Sequence, residues 1–418
     1  MTDYAVLLPG QGTQYVGMGQ ELYNKYKIVQ DIYDRANELL DYNIRDLCFE
    51  GSKEVLANIE IAQISILLMG VCSYKVFVDK IEYRPKFICG HSLGELTALT
   101  CSGAIDLDDA IYLVKKRGEL MNLASQKNKG TMAAILGVEQ VVIERVCNEV
   151  TEEYKYVGIA NYNTEEQIVI SGYLDSVEKA VSRLKTLGGE AIYLNVTGAF
   201  HSPLMQPAVA DFEKELKKYK YKQMDVCVIS NYDSLPYTDA NEIKIKLVKQ
   251  LVNPVKWIDM MKYLQDNEIY YAVDLGPKSV VSNLVKKSGL TLKAYSYEKE
   301  KEIIFKALKK DSCYHSTIVS KCITVSICTR NIVSLNQEEY KIGVIDPYEK
   351  LCEISKKTER KERKPTTAEN LAALRLLKQI FKAKKTPENE QSNRFDEIFR
   401  EIGTNKDDID YYMSHINE

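Results

Sequence analysis

Short apolar runs alternate with helical patterns in the first 130 residues. Residues 5–8 form an apolar run that stops at Pro9-Gly10, and residues 87–89 form another that stops at Gly90. Each run predicts a buried strand that ends in a tight loop. Longer helical patterns, such as residues 62–78, lie between the strands. Strands that alternate with helices favour an α/β fold with a parallel sheet.

A different order of elements is predicted for residues 130–196. The pattern gives strand 132–136, helix 142–150, strands 157–160 and 167–171, helix 174–187 and strand 191–194. This βαββαβ order is the ferredoxin-like arrangement. The chain then returns through strand 226–231, a helix near Trp257 and strand 272–275. We therefore expect a ferredoxin-like small lobe, 130–196, inserted into a large α/β-hydrolase-like lobe, 1–129 and 197–293, with a cleft between the lobes.

Residues 294–418 predict a C-terminal extension that is mostly helical. The apolar segment 322–328 predicts one strand, and residues 356–364, with six basic and two acidic residues, predict a linker. Thr366 and Glu369 have the spacing of a capping box for a helix up to Lys385. A further helix ends at Gly403 and carries one apolar face, made of Phe395, Ile398, Phe399 and Ile402.

Composition narrows the class of protein. Hydrophobic residues make up 45% of the chain and charged residues 28%, and the net charge of -3 gives no reason to expect nucleic acid or a membrane as partner. No apolar run reaches about 18 residues, and no secretory signal precedes the first strand. Ten cysteines are scattered without a CxxC pair. These features predict a cytoplasmic protein with reduced thiols and no structural disulfides.

The motif Gly90-His91-Ser92-Leu93-Gly94 carries the first chemical signal. It is a G-x-S-x-G sequence between a predicted strand and a predicted helix, which is the setting of a nucleophilic serine. The glycines permit a strained turn, and the following helix offers a backbone N–H to a developing oxyanion. The alternative is a chance match in a loop, because five-residue patterns recur by accident.

A nucleophilic serine needs a base, and the chain has four histidines. His91 is too close to Ser92 along the turn, and His315 and His415 lie in the C-terminal extension. His201, in a loop after the predicted small lobe, remains as the candidate base. A purely structural role in that loop is the alternative at this stage.

Five segments together resemble malonyl-CoA:acyl carrier protein transacylases, over roughly residues 1–293. The chain also resembles the stand-alone, trans-acting acyltransferases of polyketide synthases. The segments follow the order and spacing of that family: Pro9-Gly10-Gln11-Gly12-Thr13-Gln14, Gly90-His91-Ser92-Leu93-Gly94-Glu95, Arg117-Gly118, Gly198-Ala199-Phe200-His201-Ser202 and Asn253-Pro254-Val255-Lys256-Trp257.

The resemblance implies a role for several residues. Ser92 is the nucleophile and His201 the base, with His91 in a supporting role. The backbone N–H groups of Gln11 and Leu93 form the oxyanion hole, and Gly10 and Gly12 let the first loop approach. The backbone carbonyl of Asn253 orients His201; a turn residue before Pro254 is the plainer interpretation of Asn253.

The resemblance also implies the substrate. Arg117 receives the free carboxylate of malonyl, although without the family it reads as one more exposed basic residue on a helix. Gln63 resembles a further active-site glutamine, with Ile64 where a proline is common. Phe200 fits a pocket for malonyl rather than methylmalonyl.

These residues imply ping-pong transfer of malonyl from malonyl-CoA to the phosphopantetheine thiol of an acyl carrier protein, for polyketide or fatty acid synthesis. No permanently bound cofactor or metal is expected. The alternatives are an editing acyl hydrolase, an esterase of the α/β-hydrolase class and a non-catalytic docking subunit. For the C-terminal extension we expect that an apolar face either docks a polyketide synthase or packs as a helical hairpin; the face comprises Leu371, Leu374, Leu377, Phe381 and residues 395–402.

Overall fold

The computed structural model describes residues 3–196, 198–315, 317–331, 336–360, 363 and 365–416. Within it the chain forms two compact units, one of Asp3–Ile304 and one from Phe305 onward. The predicted division at residues 293/294 falls inside a strand of the first unit. The boundaries predicted for the lobes stay predictions.

A five-stranded parallel sheet forms the centre of the first unit, which confirms the predicted fold class. Its strands, in the spatial order β7-β2-β1-β8-β9, are β1 (Tyr4–Leu8), β2 (Phe87–Gly90), β7 (Cys227–Ile229), β8 (Tyr271–Asp274) and β9 (Lys293–Ser296). β1 is buried along its whole length, as expected for a strand with helices on both faces. Because all five strands are parallel, their carboxyl ends lie at one edge of the sheet.

Helices cover both faces of this sheet. They are α1 (Gln20–Lys25), α2 (Lys27–Leu39), α3 (Ile44–Phe49), α4 (Lys53–Ala57), α5 (Ile59–Ile81), α6 (Leu93–Cys101), α7 (Leu107–Lys127), α10 (Gln206–Leu216), α11 (Glu242–Val252), α12 (Trp257–Asp266) and α13 (Val280–Lys286). α14 (Lys301–His315) leads into the second unit. On one face of the sheet, Ala5, Leu7 and Cys89 pack against Trp257 and Met260 of α12.

α5 is the one helix of the described residues that is long and apolar enough to cross a membrane. It has 23 residues, and 83% of its most apolar stretch is buried inside the protein. It packs against α6 and α7. α5 is therefore a core helix of the large lobe.

The small lobe has the predicted ferredoxin-like order. It comprises β3 (Gly130–Leu136), α8 (Gln140–Glu153), β4 (Val157–Tyr162), β5 (Gln167–Tyr173), α9 (Leu174–Thr186) and β6 (Glu190–Tyr193). The sheet is antiparallel with the order β4-β5-β3-β6. α8 and α9 pack on one face, where Ile143, Val146 and Val177 are buried.

The second unit is helical and has its own hydrophobic core. Its helices are α15 (Ile318–Cys328), α16 (Gln337–Tyr340), a π-helical turn (Lys341–Ile345), α17 (Asp346–Arg360), α18 (Thr367–Lys384), α19 (Glu388–Ile402) and α20 (Lys406–His415). The capping box of Thr366 and Glu369 and the stop at Gly403, which has φ 69°, are confirmed. Leu374, Leu377 and Phe399 are at most 1% exposed in this core. The apolar face that we expected to dock a synthase is therefore covered within the unit itself.

Two expectations for this unit were wrong. Residues 322–328 form the second half of α15 rather than a strand, because Thr317 and Ser320 cap the helix reciprocally. The buried residues Ile318, Cys322 and Val325 then follow a helical period. The expected linker is helical as far as Arg360; residues 361, 362 and 364 lie outside the described part.

Nine of the ten cysteines have described side chains, and all nine are free thiols. Burial raises the pKa of the Cys147 thiol to about 12 and raises that of Cys89 well above its usual range. These buried thiols are thus held in the protonated, unreactive form.

Candidate active site

Ser92 lies on a sharp turn between β2 and α6. Its φ of 54° is positive, which is rare for a residue with a side chain and marks local strain. The turn closes only with glycine at its flanks. A Cβ on Gly90 would lie 1.9 Å from the carbonyl carbon of Gly94, and one on Gly94 would lie 2.2 Å from the oxygen of Leu8. The two glycines of the motif thus permit the turn that presents the serine hydroxyl.

Asn231 holds this turn from the neighbouring strand. Its Oδ1 accepts from the backbone N–H of Ser92 at 2.6 Å, and its Nδ2 donates to the carbonyl of Gly90 at 2.6 Å. Asn231 follows β7, which pairs with β2, so the sheet brings the residues together. We did not predict Asn231 as a site residue; the available signal was a polar residue at the end of the predicted strand 226–231.

His201 contacts Ser92 in the geometry of a nucleophile and its base. Nε2 of His201 lies 2.7 Å from Oγ of Ser92, and Nδ1 lies 2.8 Å from the backbone carbonyl of Gln250. A carbonyl only accepts hydrogen bonds, so Nδ1 carries the proton and Nε2 is left as acceptor. This tautomer can take the proton of the serine hydroxyl.

The assignment of Asn253 as the residue that orients His201 was wrong. In a continuing helix the carbonyl of Gln250 would accept from the N–H of residue 254, but Pro254 has no N–H. α11 ends at Val252, and the free carbonyl of Gln250 accepts from His201 instead. Asn253 closes the helix, with its Nδ2 donating to Lys249 at 2.8 Å. The plainer interpretation, a turn residue before proline, fits its position.

Arg117 is a buried cation whose contacts are all neutral. Its side chain comes from α7, and the residue is 1% exposed, so it is not the surface arginine of a generic helix. Nη1 donates to Oε1 of Gln63 at 2.8 Å, and Nη2 donates to Oε1 of Gln250 at 3.1 Å and to Oγ of Ser92 at 3.3 Å. Within the described chain Arg117 forms no ion pair, and its Nε has no hydrogen-bond partner.

Glu95 is the acidic residue whose charge acts on Arg117, and the side chain of Gln250 lies between the two. Glu95 is 0% exposed in α6, and its carboxylate accepts from the hydroxyl of Tyr237 at 2.5 Å and from Nε2 of Gln250 at 2.7 Å. Nε2 of Gln250 also donates to the carbonyl of Ser92 at 2.9 Å. We predicted a site role for neither Glu95 nor Gln250, although Glu95 ends one of the matching motifs.

Burial sets the protonation of these groups. It lowers the pKa of His201 to about 3, and the charge of Arg117 acts in the same direction. It also lowers the pKa of Arg117 to about 10, with Glu95 opposing. Burial raises the pKa of Glu95 to about 7, against the hydrogen bonds from Tyr237 and Gln250. At neutral pH the imidazole is therefore uncharged and the guanidinium charged.

These groups open into a cavity of about 340 Å³ between the large lobe and the small lobe. The small lobe contributes apolar side chains, such as Met132 and Ile192, and also the polar side chains of Asn161, Asn163 and Gln167. Seven of the predicted site residues line it: Gln11, His91, Ser92, Leu93, Arg117, Phe200 and His201. Gln63 lies behind Arg117, and Asn253 lies away from the cavity.

The first loop lies directly over the serine turn. A Cβ on Gly10 would be 2.6 Å from the carbonyl oxygen of His91, so the two backbones meet closely here. Gly12 has open space around it and serves by its φ of 97° instead. The ring of His91 turns toward the small lobe, with Nε2 2.9 Å from Oδ1 of Asn163. The side chain of His91 thus contacts the small lobe, and its supporting role stays a prediction.

No cluster of three or more metal-ligating side chains occurs among the residues that the structure describes. In the site, the neutral imidazole of His201 and the guanidinium of Arg117 both contact the hydroxyl oxygen of Ser92. This set can activate an alcohol beside a bound anion.

Comparison with known proteins gives the family. A family model described as "Acyl transferase domain" matches residues 6–316. A malonyl CoA-acyl carrier protein transacylase of Bacillus subtilis is 31% identical over 399 residues, which is 94% of this chain and 99% of the relative. That alignment extends into the second unit. Another from Bacillus subtilis (strain 168) is 39% identical over 315 residues, covering 75% of this chain and 99% of the relative.

Solved structures agree with these relatives. The malonyl CoA-acyl carrier protein transacylase of Coxiella burnetii has a TM-score of 0.70 at 32% identity, covering 74% of this chain and 97% of its own. A malonyl-transacylase in complex with a type II PKS acyl-carrier protein also has a TM-score of 0.70 at 32% identity, covering 74% and 99%. With the matched domain and the relatives' coverage, the chain belongs to the malonyl CoA-acyl carrier protein transacylase family and is an acyltransferase.

Proposed function

We propose that this protein carries malonyl from malonyl-CoA to the phosphopantetheine thiol of an acyl carrier protein by a ping-pong mechanism through Ser92. The observation that supports it best is the contact of 2.7 Å between Oγ of Ser92 and Nε2 of His201, with Arg117 3.3 Å from the same oxygen. The proposed base and the proposed anion receptor thus both contact the oxygen of the proposed nucleophile.

In the first half-reaction, Nε2 of His201 takes the hydroxyl proton as Oγ of Ser92 attacks the thioester carbonyl. The tetrahedral intermediate collapses when the carbon–sulfur bond breaks, and the coenzyme A thiolate leaves with the proton from His201. The Nδ1–H bond to the carbonyl of Gln250 keeps the ring oriented through both proton transfers. Ser92 then carries malonyl as an ester.

The oxyanion of each tetrahedral intermediate is assigned to two backbone N–H groups. Leu93 is the first residue of α6, so its N–H has no partner inside the helix. Gln11 lines the same cavity, next to Gly10 whose backbone lies close to that of His91, and this supports its N–H as the second donor. Two preorganised donors at this position would stabilise the charge that develops on the thioester oxygen.

Arg117 selects a donor that ends in a carboxylate. A buried guanidinium without an ion pair has strong charge-assisted hydrogen bonds still to make, each worth about 1.5–3 kcal/mol. Phe200, 6% exposed, lines the same cavity and narrows it, which favours malonyl over methylmalonyl. Gln63 holds the guanidinium from behind.

In the second half-reaction the phosphopantetheine thiol replaces coenzyme A. His201 takes the thiol proton, the thiolate attacks the malonyl ester, and Oγ of Ser92 leaves with that proton. Transfer requires that water be a poorer acceptor than the thiol, which separates this function from an editing acyl hydrolase. Arg117 favours the transferase, because such a hydrolase has no use for a dicarboxylate receptor.

The esterase alternative would need an acidic residue on Nδ1 of the base. Here Nδ1 contacts a backbone carbonyl, and this arrangement speaks against that class.

The pathway belongs to the same proposal. A carrier of polyketide or fatty acid synthesis would accept the malonyl unit, and a polyketide synthase would dock on the C-terminal extension. The extension is shared with the relative of Bacillus subtilis that aligns over 399 residues, which supports a function common to both proteins. We place the protein in the cytoplasm, in keeping with its free thiols.

The experiment is mass spectrometry of the intact protein after exposure to malonyl-, methylmalonyl- and acetyl-CoA, followed by addition of candidate carriers. We expect rapid malonyl addition at Ser92, its transfer to a carrier, and no addition to Ser92→Ala. Fatty acid and polyketide carriers are offered in parallel to identify the pathway. An unmodified Ser92 would contradict the proposal and favour a docking subunit; release of free malonate in the presence of carrier would favour the hydrolase.

A further inference from the structure

Three polar side chains at the floor of the cavity form a hydrogen-bonded chain, in which a neutral carboxamide lies between a guanidinium and a carboxyl group. Arg117 lines the cavity, whereas Gln250 and Glu95 are at most 1% exposed and lie behind it. Nη2 of Arg117 donates to Oε1 of Gln250, at 3.1 Å, and Nε2 of Gln250 donates to Oε2 of Glu95, at 2.7 Å. The carboxamide of Gln250 therefore separates a buried cation from a buried carboxylate.

The orientation of this carboxamide is fixed by its neighbours. Both partners of Nε2, the carboxylate of Glu95 and the carbonyl of Ser92, are acceptors, so this end of the amide must be the NH₂ group. The oxygen must then face Arg117. Glu95 is itself held by the hydroxyl of Tyr237 at 2.5 Å. One rigid arrangement follows for all three side chains.

A direct ion pair here would defeat the selection of a charged donor. A carboxylate in contact with a buried guanidinium makes short, charge-assisted bonds that a substrate carboxylate would have to displace. A carboxamide oxygen makes a weaker, neutral bond. In its ionised form, Glu95 on the far side of the carboxamide still favours the protonated guanidinium. Arg117 is in this way kept charged and oriented but unpaired.

We propose that Gln250 and Glu95 determine donor specificity: Glu95 fixes the carboxamide of Gln250, which acts as a neutral spacer and leaves Arg117 free to bind the carboxylate of the donor. Both are positioning residues, since neither lines the cavity. The inference rests on the proposed function, because it assumes that Arg117 receives a donor carboxylate. The contact of His201 is separate, since it uses the backbone of Gln250 and not its side chain.

The test replaces the spacer with a carboxylate of the same shape, Gln250→Glu, and measures the rate of Ser92 acylation against donor concentration. With malonyl-CoA we expect kcat/KM to fall at least about tenfold, mainly through KM, because the new carboxylate occupies Arg117. With acetyl-CoA, which has no carboxylate, some loss is expected because the variant also removes the donor to the carbonyl of Ser92, but this loss should be at least about threefold smaller than the loss with malonyl-CoA. An equal loss with both donors, or an unchanged KM for malonyl-CoA, would overturn the proposal.

Gln250→Glu also places two carboxylates in contact, so a second variant separates stability from specificity. In Glu95→Gln with Gln250→Glu, the amide of residue 95 can donate to the carboxylate at 250. We expect Gln250→Glu to lower the Tm. The double variant should regain part of this Tm but not the preference for malonyl. Recovery of the preference together with Tm would show a purely structural effect and overturn the proposal.

Gln265→Glu is the matched control, because it makes the same change on α12, where the side-chain oxygen accepts from Thr291 at 2.9 Å. We expect wild-type kinetics with both donors. Failure of the wild-type protein to form the malonyl ester would instead contradict the proposed function itself. A wild-type ester with an unchanged preference in Gln250→Glu would overturn only the spacer.

Discussion

At the scale of single residues, the proposed function assigns the choice of donor to Arg117. It is a fully buried guanidinium that contacts Gln63, Gln250 and Ser92 and no described carboxylate. An arginine in this position is stable only if its remaining hydrogen-bonding capacity is met, and the cavity is where a partner can reach it.

Arg117→Ala should therefore lower malonyl transfer about a hundredfold, since about 3 kcal/mol corresponds to roughly two decades of rate. Acetyl transfer should change much less. The measurement is kcat/KM for both donors, with Arg183→Ala as control, because Arg183 pairs at the surface with Glu153. Equal malonyl and acetyl kinetics in variant and parent would contradict the role of Arg117.

His201, the proposed base, has a pKa far below the ordinary value for histidine. Burial and the charge of Arg117 lower the pKa of His201 to about 3 from 6.5, so the imidazole stays neutral as the pH falls to about 5. NMR of the ring should show no titration of His201 between pH 8 and pH 5, with His201→Gln used for assignment. In Arg117→Ala one cause is removed, and the pKa of His201 should rise. A midpoint near the ordinary value in the wild-type protein would contradict this account.

At the scale of elements, the ends of strands and helices place the chemistry. The end of β2 presents Ser92, Asn231 just beyond β7 holds its turn, and the end of α11 supplies the carbonyl for His201. Pro254 leaves the carbonyl of Gln250 free for His201, because proline has no N–H to donate to it.

Pro254→Ala should weaken this arrangement. The new N–H can compete for the carbonyl of Gln250, and the residue before it is no longer restricted to extended backbone. We expect Ser92 acylation to slow about tenfold, in line with the loss of one orienting hydrogen bond. Pro387→Ala, at the start of α19, is the control and should keep the parental rate. An unchanged rate in Pro254→Ala would show that the proline is not needed to free the carbonyl.

Sequence patterns predicted the elements better than the contacts between them. The serine turn, the small lobe and the capping box of α18 follow from local spacing. The prediction of a strand for residues 322–328 was wrong. Their β-branched residues favour a strand, but the cap at Thr317 and packing against α18 stabilise a helix. Asn231 and Gln250 are far from Ser92 in the chain, and only the sheet order and the position of α11 bring them to Ser92 and to Glu95 on α6.

At the scale of the whole molecule, the proposed catalytic residues all belong to the unit of Asp3–Ile304. The second unit has its own buried core and contributes no residue to the cavity within the described chain. β9, at Lys293–Ser296, pairs with β8 and is part of the catalytic unit. A truncation meant to test the extension must keep this strand.

A chain that ends at Ile304 should keep the parental rate of Ser92 acylation, because every residue of the site is retained. Under the docking proposal its affinity for the synthase should fall, while transfer to an isolated carrier should not. Both are measured on the same preparation, with circular dichroism to show that the shortened chain is folded. Loss of acylation in the folded truncation would assign a catalytic role to the second unit; unchanged affinity for the synthase would remove the docking proposal.

The most direct test of the central claim is a crystal structure of the protein after reaction with malonyl-CoA. We predict an ester on Oγ of Ser92 whose free carboxylate accepts hydrogen bonds from the guanidinium of Arg117 at about 2.7–2.9 Å. A malonyl group on another residue, or an ester whose carboxylate faces solvent away from Arg117, would contradict the account.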